Sequence, residues 1–385
     1  MGRPRVCSNL CCRYARRAAP GWLVRDGTYL TCAHGRVQRY RCRGCGARLS
    51  GQTESVHYYA KRRLDLRLIF TRLRGGSSMR DIARSIGCSP KAVGAAVLRL
   101  GRQAMAAHLA LFTGVEHSGR LCFDGLLSAV GSRDYPSQIT TLGDRESELL
   151  LAMTHCVTER GGRRTAAQQR RISRRRTQWQ AKSGGLSESI ALLVSELPRF
   201  APSHRLSVDT DEHPLYRRAL GADRAIGWYR RAGLFEHRST PGSAPRTVDN
   251  PLFLMNYLDR MIRHRVKEHT RESIAIARNA TMQMHRMWVF AWDHNAVQPR
   301  RVAGADARSR AEVALGGGAA VRRVARSFFT RRIAVLSPVP ESMRLVWEAQ
   351  LQTPPVRWRV AQRGTSVRVA QYARKDLARS YLHGG

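Results

Sequence analysis

Arg120-Leu-Cys-Phe-Asp124-Gly-Leu-Leu-Ser-Ala-Val130 is an apolar run with one carboxylate inside it. Gln138-Ile-Thr-Thr-Leu142 and Leu149-Leu-Leu-Ala-Met-Thr-His-Cys-Val157 follow closely, separated by Gly143-Asp-Arg. Short apolar runs bounded by turn residues predict an antiparallel three-strand meander. Arg205-Leu-Ser-Val-Asp209-Thr-Asp211 adds a fourth strand that ends in acid, and Leu186–Val194 reads as an amphipathic helix. A loop rich in Gly, Pro, Ser and Thr at 238–247 precedes a long helical stretch from Leu252 to about Asn295. Strands and helices in this order imply a mixed α/β unit.

Upstream, the period changes to that of helices. Leu64, Leu66, Leu68, Ile69 and Leu73 mark a first helix, which Gly75-Gly76 stops. Ser78 can cap a second, with Asp81 at its third position, and Ile82, Ala83 and Ile86 form its inner face. Ser89-Pro90 then supplies a cap and a first-turn proline for a third, lined by Val93, Val97 and Leu100. Helix, Gly-containing turn, helix at this spacing is a helix-turn-helix pattern. It would lay the third helix in the major groove of duplex DNA, with Ser89, Lys91, Arg99 and Arg102 as candidate contacts.

Six of the nine cysteines fall in the first 45 residues. Cys42-Arg-Gly-Cys45-Gly46 fits a knuckle that aims two sulfurs at one cation, and the upstream pair Cys7 and Cys12 completes a four-thiol set. Cys11 could replace Cys12, and Cys32-Ala-His34 offers another pair. With strands at Trp22–Arg25 and Val37–Arg41, the reading is a zinc ribbon that folds around structural Zn²⁺. Cys88, Cys122 and Cys156 stand alone in apolar contexts and read as small core residues.

Composition agrees with a polyanionic partner. The chain has 385 residues, 67 Lys plus Arg against 28 Asp plus Glu, and a net charge of +39 with His neutral. At 43% hydrophobic it can bury a core, which excludes wholesale disorder. No run approaches the roughly 18 apolar residues of a spanning helix, and Met1–Arg5 lacks an apolar signal core, so a cytoplasmic protein without membrane contact is expected. The segment from Arg160 to Lys182 holds nine basic residues and no acidic one. Its cluster Arg170, Arg171, Arg174, Arg175 and Arg176 is a candidate DNA contact.

In so basic a chain, acids at strand positions stand out. Asp124 is costly to bury unless paired or metal-bound, and Asp211 closes the fourth strand. Such carboxylates, with a third on a packed helix, make an oxygen-rich site for Mg²⁺ or Mn²⁺.

The order of Tyr40-Arg-Cys-Arg-Gly-Cys-Gly46, helix-turn-helix at 78–100, Phe123-Asp124 and Thr210-Asp211-Glu-His-Pro-Leu-Tyr216 resembles the bacterial insertion-sequence transposases with a DDE-type catalytic domain. The resemblance spans roughly residues 5 to 300, since the motif order exceeds any one motif in specificity. Asp-x4-Tyr resembles the family's second-acid motif, selecting Asp211 over Asp209. Family members often carry Glu after the first acid, where Gly125 stands here. The family's third-acid helix matches Asp259-Arg260, Arg263, Arg271-Glu-Ser273 and His294-Asn295. That makes Asp259 the third acid, with Glu268 the fallback and Asn256 the slot in which the acid would be lost.

The resemblance implies a multidomain α/β chain: a zinc ribbon at 1–55, a helix-turn-helix domain at 56–115, and an RNase H-like mixed sheet flanked by helices at 116–300. The basic segment 160–185 lies within the last of these, and a basic region at 301–385 has no assigned role. Asp124, Asp211 and Asp259 would hold Mg²⁺ or Mn²⁺. The expected partners are double-stranded DNA, as transposon ends and target, and further copies of the chain. The expected location is the bacterial cytoplasm, at the nucleoid. The alternative is a catalytically inactive, transposase-derived DNA-binding regulator.

Overall fold

A computed structural model describes residues 3–9, 11–15, 17–200, 205–271, 275–301, 306–355, 369–370 and 373–377. Leu23–Thr31 (β1), Gly35–Cys42 (β2) and Arg48–Ser50 (β3) pair antiparallel in the order β1-β2-β3. Both expected strands are present, each longer than its apolar letters suggest. This sheet has a small core of its own, in which Trp22, Leu23 and Leu49 pack around Cys7, Cys12 and Cys42.

Three helices follow at the expected places. Asp65 caps Leu66–Arg74 (α1), accepting from the Arg67 and Leu68 N–H groups. Ser78 caps Met79–Ser85 (α2), and Ser89 with Pro90 opens Pro90–Phe112 (α3). The third helix runs well past the apolar stripe that announces it. Its C-terminal half is buried nearly all round because it threads the core of the main body.

That body holds Arg120–Val130 (β4), Ser132–Asp144 (β5), Leu150–Val157 (β6), Leu206–Asp211 (β7) and Phe235–Thr240 (β8) in the order β6-β5-β4-β7-β8. The first three form the antiparallel meander, and β7 and β8 add to β4 in parallel. Ala166–Arg176 (α4), Gly185–Ser195 (α5), Pro214–Ala222 (α6) and Arg224–Arg231 (α7) connect the strands. One apolar cluster runs from Val56 to Leu377 and unites the three helices, the sheet and the C-terminal helices Arg310–Ala314 (α10), Ala319–Phe328 (α11) and Glu341–Trp347 (α12). The expected boundaries at 115 and 300 therefore do not separate cores.

The long helix expected over 252–295 is two helices. Phe253–Arg265 (α8) ends before a short 3₁₀ turn at Lys267–His269, and Ala280–Trp292 (α9) runs into a π-helical turn at Asp293–Val297. Buried Glu268 pairs with Arg286 of α9, which holds the break shut. In the π turn, the Asn295 amide donates to the Leu150 carbonyl at 2.8 Å and accepts from its N–H at 3.0 Å, standing in for a strand at the edge of β6.

α3 and α9 meet at Gly101. A Cβ there would lie 2.3 Å from Nδ1 and 2.8 Å from Cβ of buried His285. Gly101→Ala is expected to lower stability by about 1–3 kcal/mol in denaturant unfolding, as overpacking does. Gly221→Ala in α6, where nothing lies within 4 Å of the added Cβ, is expected to raise it by about 0.5–1 kcal/mol.

Candidate functional site

The register of β4 on β7 sets the carboxylates. Cys122 is opposite Asp209 on parallel strands, so two residues further along, Asp124 and Asp211 occupy matching positions on one face. Antiparallel pairing places Thr141 opposite Asp124, and the Thr141 hydroxyl lies 3.6 Å from the Met255 sulfur of α8. Asp259 is one helical turn beyond Met255, on the side that meets the strands. Three acids from two strands and one helix thus face a common space. Asp124 lies mid-strand, inside the apolar run that the sequence shows.

Asp124 registers its neighbours. Burial pushes its carboxyl up to about 6, Asp211 and Asp259 add to the rise, and the Gly125 N–H and Arg246 offset part of it. Asp211 accepts from the His213 N–H at 2.9 Å. The Oδ2 atom of Asp259 accepts from Arg263 Nε at 2.9 Å, while its Oδ1 is buried with no hydrogen-bond partner. Tyr216 packs edge-on against Phe123 with ring centroids 4.9 Å apart, and burial beside Asp124 and Asp211 raises its phenol.

The other acids are engaged elsewhere. Asp209 is fully buried, with Arg145 at 2.6 Å and Arg238 at 2.9 Å. Glu268 is spent on Arg286. Asn256 donates to the Leu252 carbonyl of its own helix at 3.1 Å. Of the third-acid choices, Asp259 is the one whose charge reaches Asp124. A Cβ at position 125 would lie 2.3 Å from Gln138 Nε2, so a side chain there would require the Gln138 amide to move aside. Gln138 escaped the sequence reading, since a glutamine within an apolar strand carries no signal of what it faces.

The four thiols form the compact centre. Cys7, Cys12, Cys42 and Cys45 place their sulfurs within 4.8 Å of one another, and among the described residues no other group of three or more such ligands is drawn together this closely. Cys7 is 3.5 Å from Cys45, and Cys12 is 3.7 Å from Cys42. Tetrahedral Zn–S bonds of about 2.3 Å require sulfurs about 3.8 Å apart. Backbone N–H groups of Asn9, Tyr14 and Gly44 point at Cys7, Cys12 and Cys42. Against the cost of burial, the Ala47 N–H and the neighbouring thiols bring Cys45 down to about 7. Gly44 is required in the knuckle, since a Cβ would lie 2.9 Å from the Tyr14 ring and 3.1 Å from the Cys12 sulfur. Cys11 and Cys32 are exposed and stand outside the cluster.

The arginines divide into presented and consumed. Ser89 and Lys91 are exposed at the start of α3, the Ser89 hydroxyl accepting from the Ala92 N–H. Arg99 instead donates to the Val56 and Tyr58 carbonyls, and buried Arg102 donates to the Trp347 carbonyl, so neither is available to DNA as expected. On α4, Arg171 and Arg175 face Asp134 at 3.6 and 3.0 Å, and Arg176 pairs with Glu159. Arg170 and Arg174 are exposed and, among the described residues, in no ion pair. No family model matches the sequence, and no curated protein matches it.

Proposed function

We propose that this protein is a DNA transposase of the DDE class, which binds inverted repeats at transposon ends and catalyses metal-dependent strand cleavage and strand transfer. The observation that carries the reading is the placement of Asp124 and Asp211 on adjacent parallel strands of the mixed sheet, with Asp259 on the helix α8 that packs against β4 and β5. An antiparallel meander extended by two parallel strands supports the RNase H-like fold that the resemblance implies. The thiol cluster supports a zinc ribbon, and α1 to α3 support a helix-turn-helix. Among the described residues no helix is long and apolar enough to cross a membrane.

The donor set fits a hard dication. It is all oxygen, it includes the unpartnered Oδ1 of Asp259, and its mutual repulsion is of the kind a cation relieves. Asp124, Asp211 and Asp259 would hold Mg²⁺ or Mn²⁺, which when bound supplies a Lewis acid for phosphodiester chemistry. The chain's own groups do the positioning. Arg263 holds one oxygen of Asp259, leaving the other free, and also donates to the Leu127 carbonyl of β4 at 3.5 Å. The His213 N–H fixes Asp211 at the N-terminus of α6.

DNA end fragments incubated with the full chain and Mg²⁺ are expected to be cut, and Asp124→Ala, Asp211→Ala and Asp259→Ala each to stop the cutting. One contact favours a second reading, an inactive transposase-derived regulator: Arg263 supplies Asp259 with the positive charge that a cation would otherwise bring. Sequence-specific binding without cleavage at any Mg²⁺ or Mn²⁺ concentration would establish that reading.

The basic helix gives an independent handle on binding. Arg170→Ala with Arg174→Ala is expected to weaken duplex binding and to reduce the slope of log affinity against log salt by about 2. Arg171→Ala with Arg175→Ala is expected to cost less binding and more stability, because these two hold α4 on Asp134.

A further inference from the structure

The outer surface of α6 and α7 has no part in the site described above. Arg217 and Arg218 of α6 and Arg224 and Arg231 of α7 are all exposed, and none of the four forms an ion pair among the described residues. Trp228 of α7 has 55% of its surface in solvent. On α7, Arg224, Trp228 and Arg231 fall at i, i+4 and i+7 and share one face, while Ile226 and Tyr229 are buried on the other. The indole is braced edge-on against Tyr229, centroids 5.1 Å apart at 87°, so its outer side is left bare.

Nearby acids do little to neutralise this surface. The Asp223 carboxylate is used as the α7 cap, accepting from the Ile226 N–H at 3.0 Å, and Glu212 is the remaining carboxylate on the segment 212–231. Two unneutralised guanidiniums flanking an exposed indole on α7, with two more on the neighbouring helix α6, are unfavourable in isolation through like-charge repulsion and apolar exposure. A polyanion that also offers aromatic faces would relieve both. The surface is joined to the carboxylates, since α6 starts at His213, whose N–H bonds Asp211. It lies toward the β8 edge of the sheet, whereas α4 is tied to β5 through Asp134.

We propose that the α6–α7 face is a second nucleic-acid surface, which takes the phosphates of an unpaired DNA strand on Arg217, Arg218, Arg224 and Arg231 and stacks a base on Trp228. An indole on a convex helix cannot reach a base inside an intact duplex, but it offers a platform to one that is already unstacked. The inference rests on the proposed action on DNA and adds where a single strand leaving the carboxylates would run.

Full-length chain is titrated with a fluorescent thymidine oligonucleotide and, separately, with a duplex, at several salt concentrations. Trp228→Ala is expected to weaken oligonucleotide binding roughly tenfold while Trp228→Phe largely retains it. Arg224→Glu with Arg231→Glu is expected to reduce the oligonucleotide salt slope by at least about 1.4. Duplex binding, weakened by the Arg170 and Arg174 variant, should survive Trp228→Ala. Oligonucleotide binding unchanged in both α7 variants would overturn the proposal while leaving the action on duplex DNA intact. Equal losses for oligonucleotide and duplex would overturn the base-stacking role. A dimer that dissociates in the Trp228→Ala variant, with oligonucleotide binding unchanged, would make the face a contact between copies. A wild-type chain that binds neither nucleic acid would overturn the proposed function along with this inference.

Discussion

Asp124→Asn is expected to abolish strand cleavage and, in the metal-free chain, to raise stability. The first effect follows from removing one of three converging charges. A metal-assisted step owes several kcal/mol to such ligands, so at about 1.4 kcal/mol per tenfold the rate should fall by about a thousandfold or more. The second follows from the same electrostatics. The Asp124 carboxyl is raised from 3.8 to about 6 in the folded chain, by burial first and by Asp211 and Asp259 next. A raised carboxyl makes the folded state bind protons more tightly than the unfolded state, so stability is fully present below about pH 4 and declines as pH rises through 6. Full linkage at 1.36 kcal/mol per unit sets an upper bound of about 3 kcal/mol, and residual solvent contact reduces it to about 1–2 kcal/mol. Urea unfolding of wild type and variant should therefore coincide near pH 4 and diverge by pH 7. Added Mg²⁺ should stabilise the wild type and leave the variant unmoved, as linkage to a folded-state ligand requires. If the two proteins unfold alike at both pH values, the three carboxylates do not share a site.

The difference between what was readable and what was not follows from the range of the interactions. β4, β5, β6 and β7 are legible because each is a local apolar run closed by turn residues, and Asp124 and Asp211 stand out as acids within such runs. β8 was not, because Phe235-Glu-His-Arg-Ser-Thr240 is polar and held by parallel pairing with β7. α6 and α7 were missed with it, although His213-Pro214 and Asp223 are serviceable caps. The break between α8 and α9 depends on a buried Glu268–Arg286 pair that no local pattern announces. Arg99 and Arg102 have the letters of DNA contacts, yet Arg102 is committed to a carbonyl at Trp347, 245 residues away. The same long reach accounts for the C-terminal region. It reads as a basic region with no assigned role, and in the structure Arg332 bonds the Thr53 carbonyl and Asp376, and Gln103 of α3 bonds the Phe328 carbonyl at 2.8 Å.

The largest change in stability should come from the thiol cluster. The N-terminal sheet buries few apolar side chains beyond Trp22, Leu23 and Leu49, and a module this small rarely holds a fold on such a core. Structural zinc sites contribute about 10–16 kcal/mol of binding energy to folding, far above what these side chains supply. Cys42→Ser, or prolonged chelation of zinc, is therefore expected to unfold β1 to β3, with rapid proteolysis between residues 13 and 48. The main body should persist, because its cluster begins at Val56 and draws nothing from the thiols. Among the described residues the links between the parts include Arg332 to the Thr53 carbonyl, the Arg332 N–H to the Glu54 carbonyl at 2.8 Å and the Val56 N–H to the Thr330 carbonyl at 3.2 Å, and all of these lie beyond β3. Circular dichroism of the chelated chain should thus lose little helix while its N-terminal sites become cleavable, and Zn²⁺ should restore protection. Cys11→Ser and Cys32→Ser, at exposed thiols outside the cluster, should change neither readout. Unaltered protease resistance in the Cys42→Ser chain would mean that the N-terminal sheet stands on packing alone and that the thiols are not metal ligands.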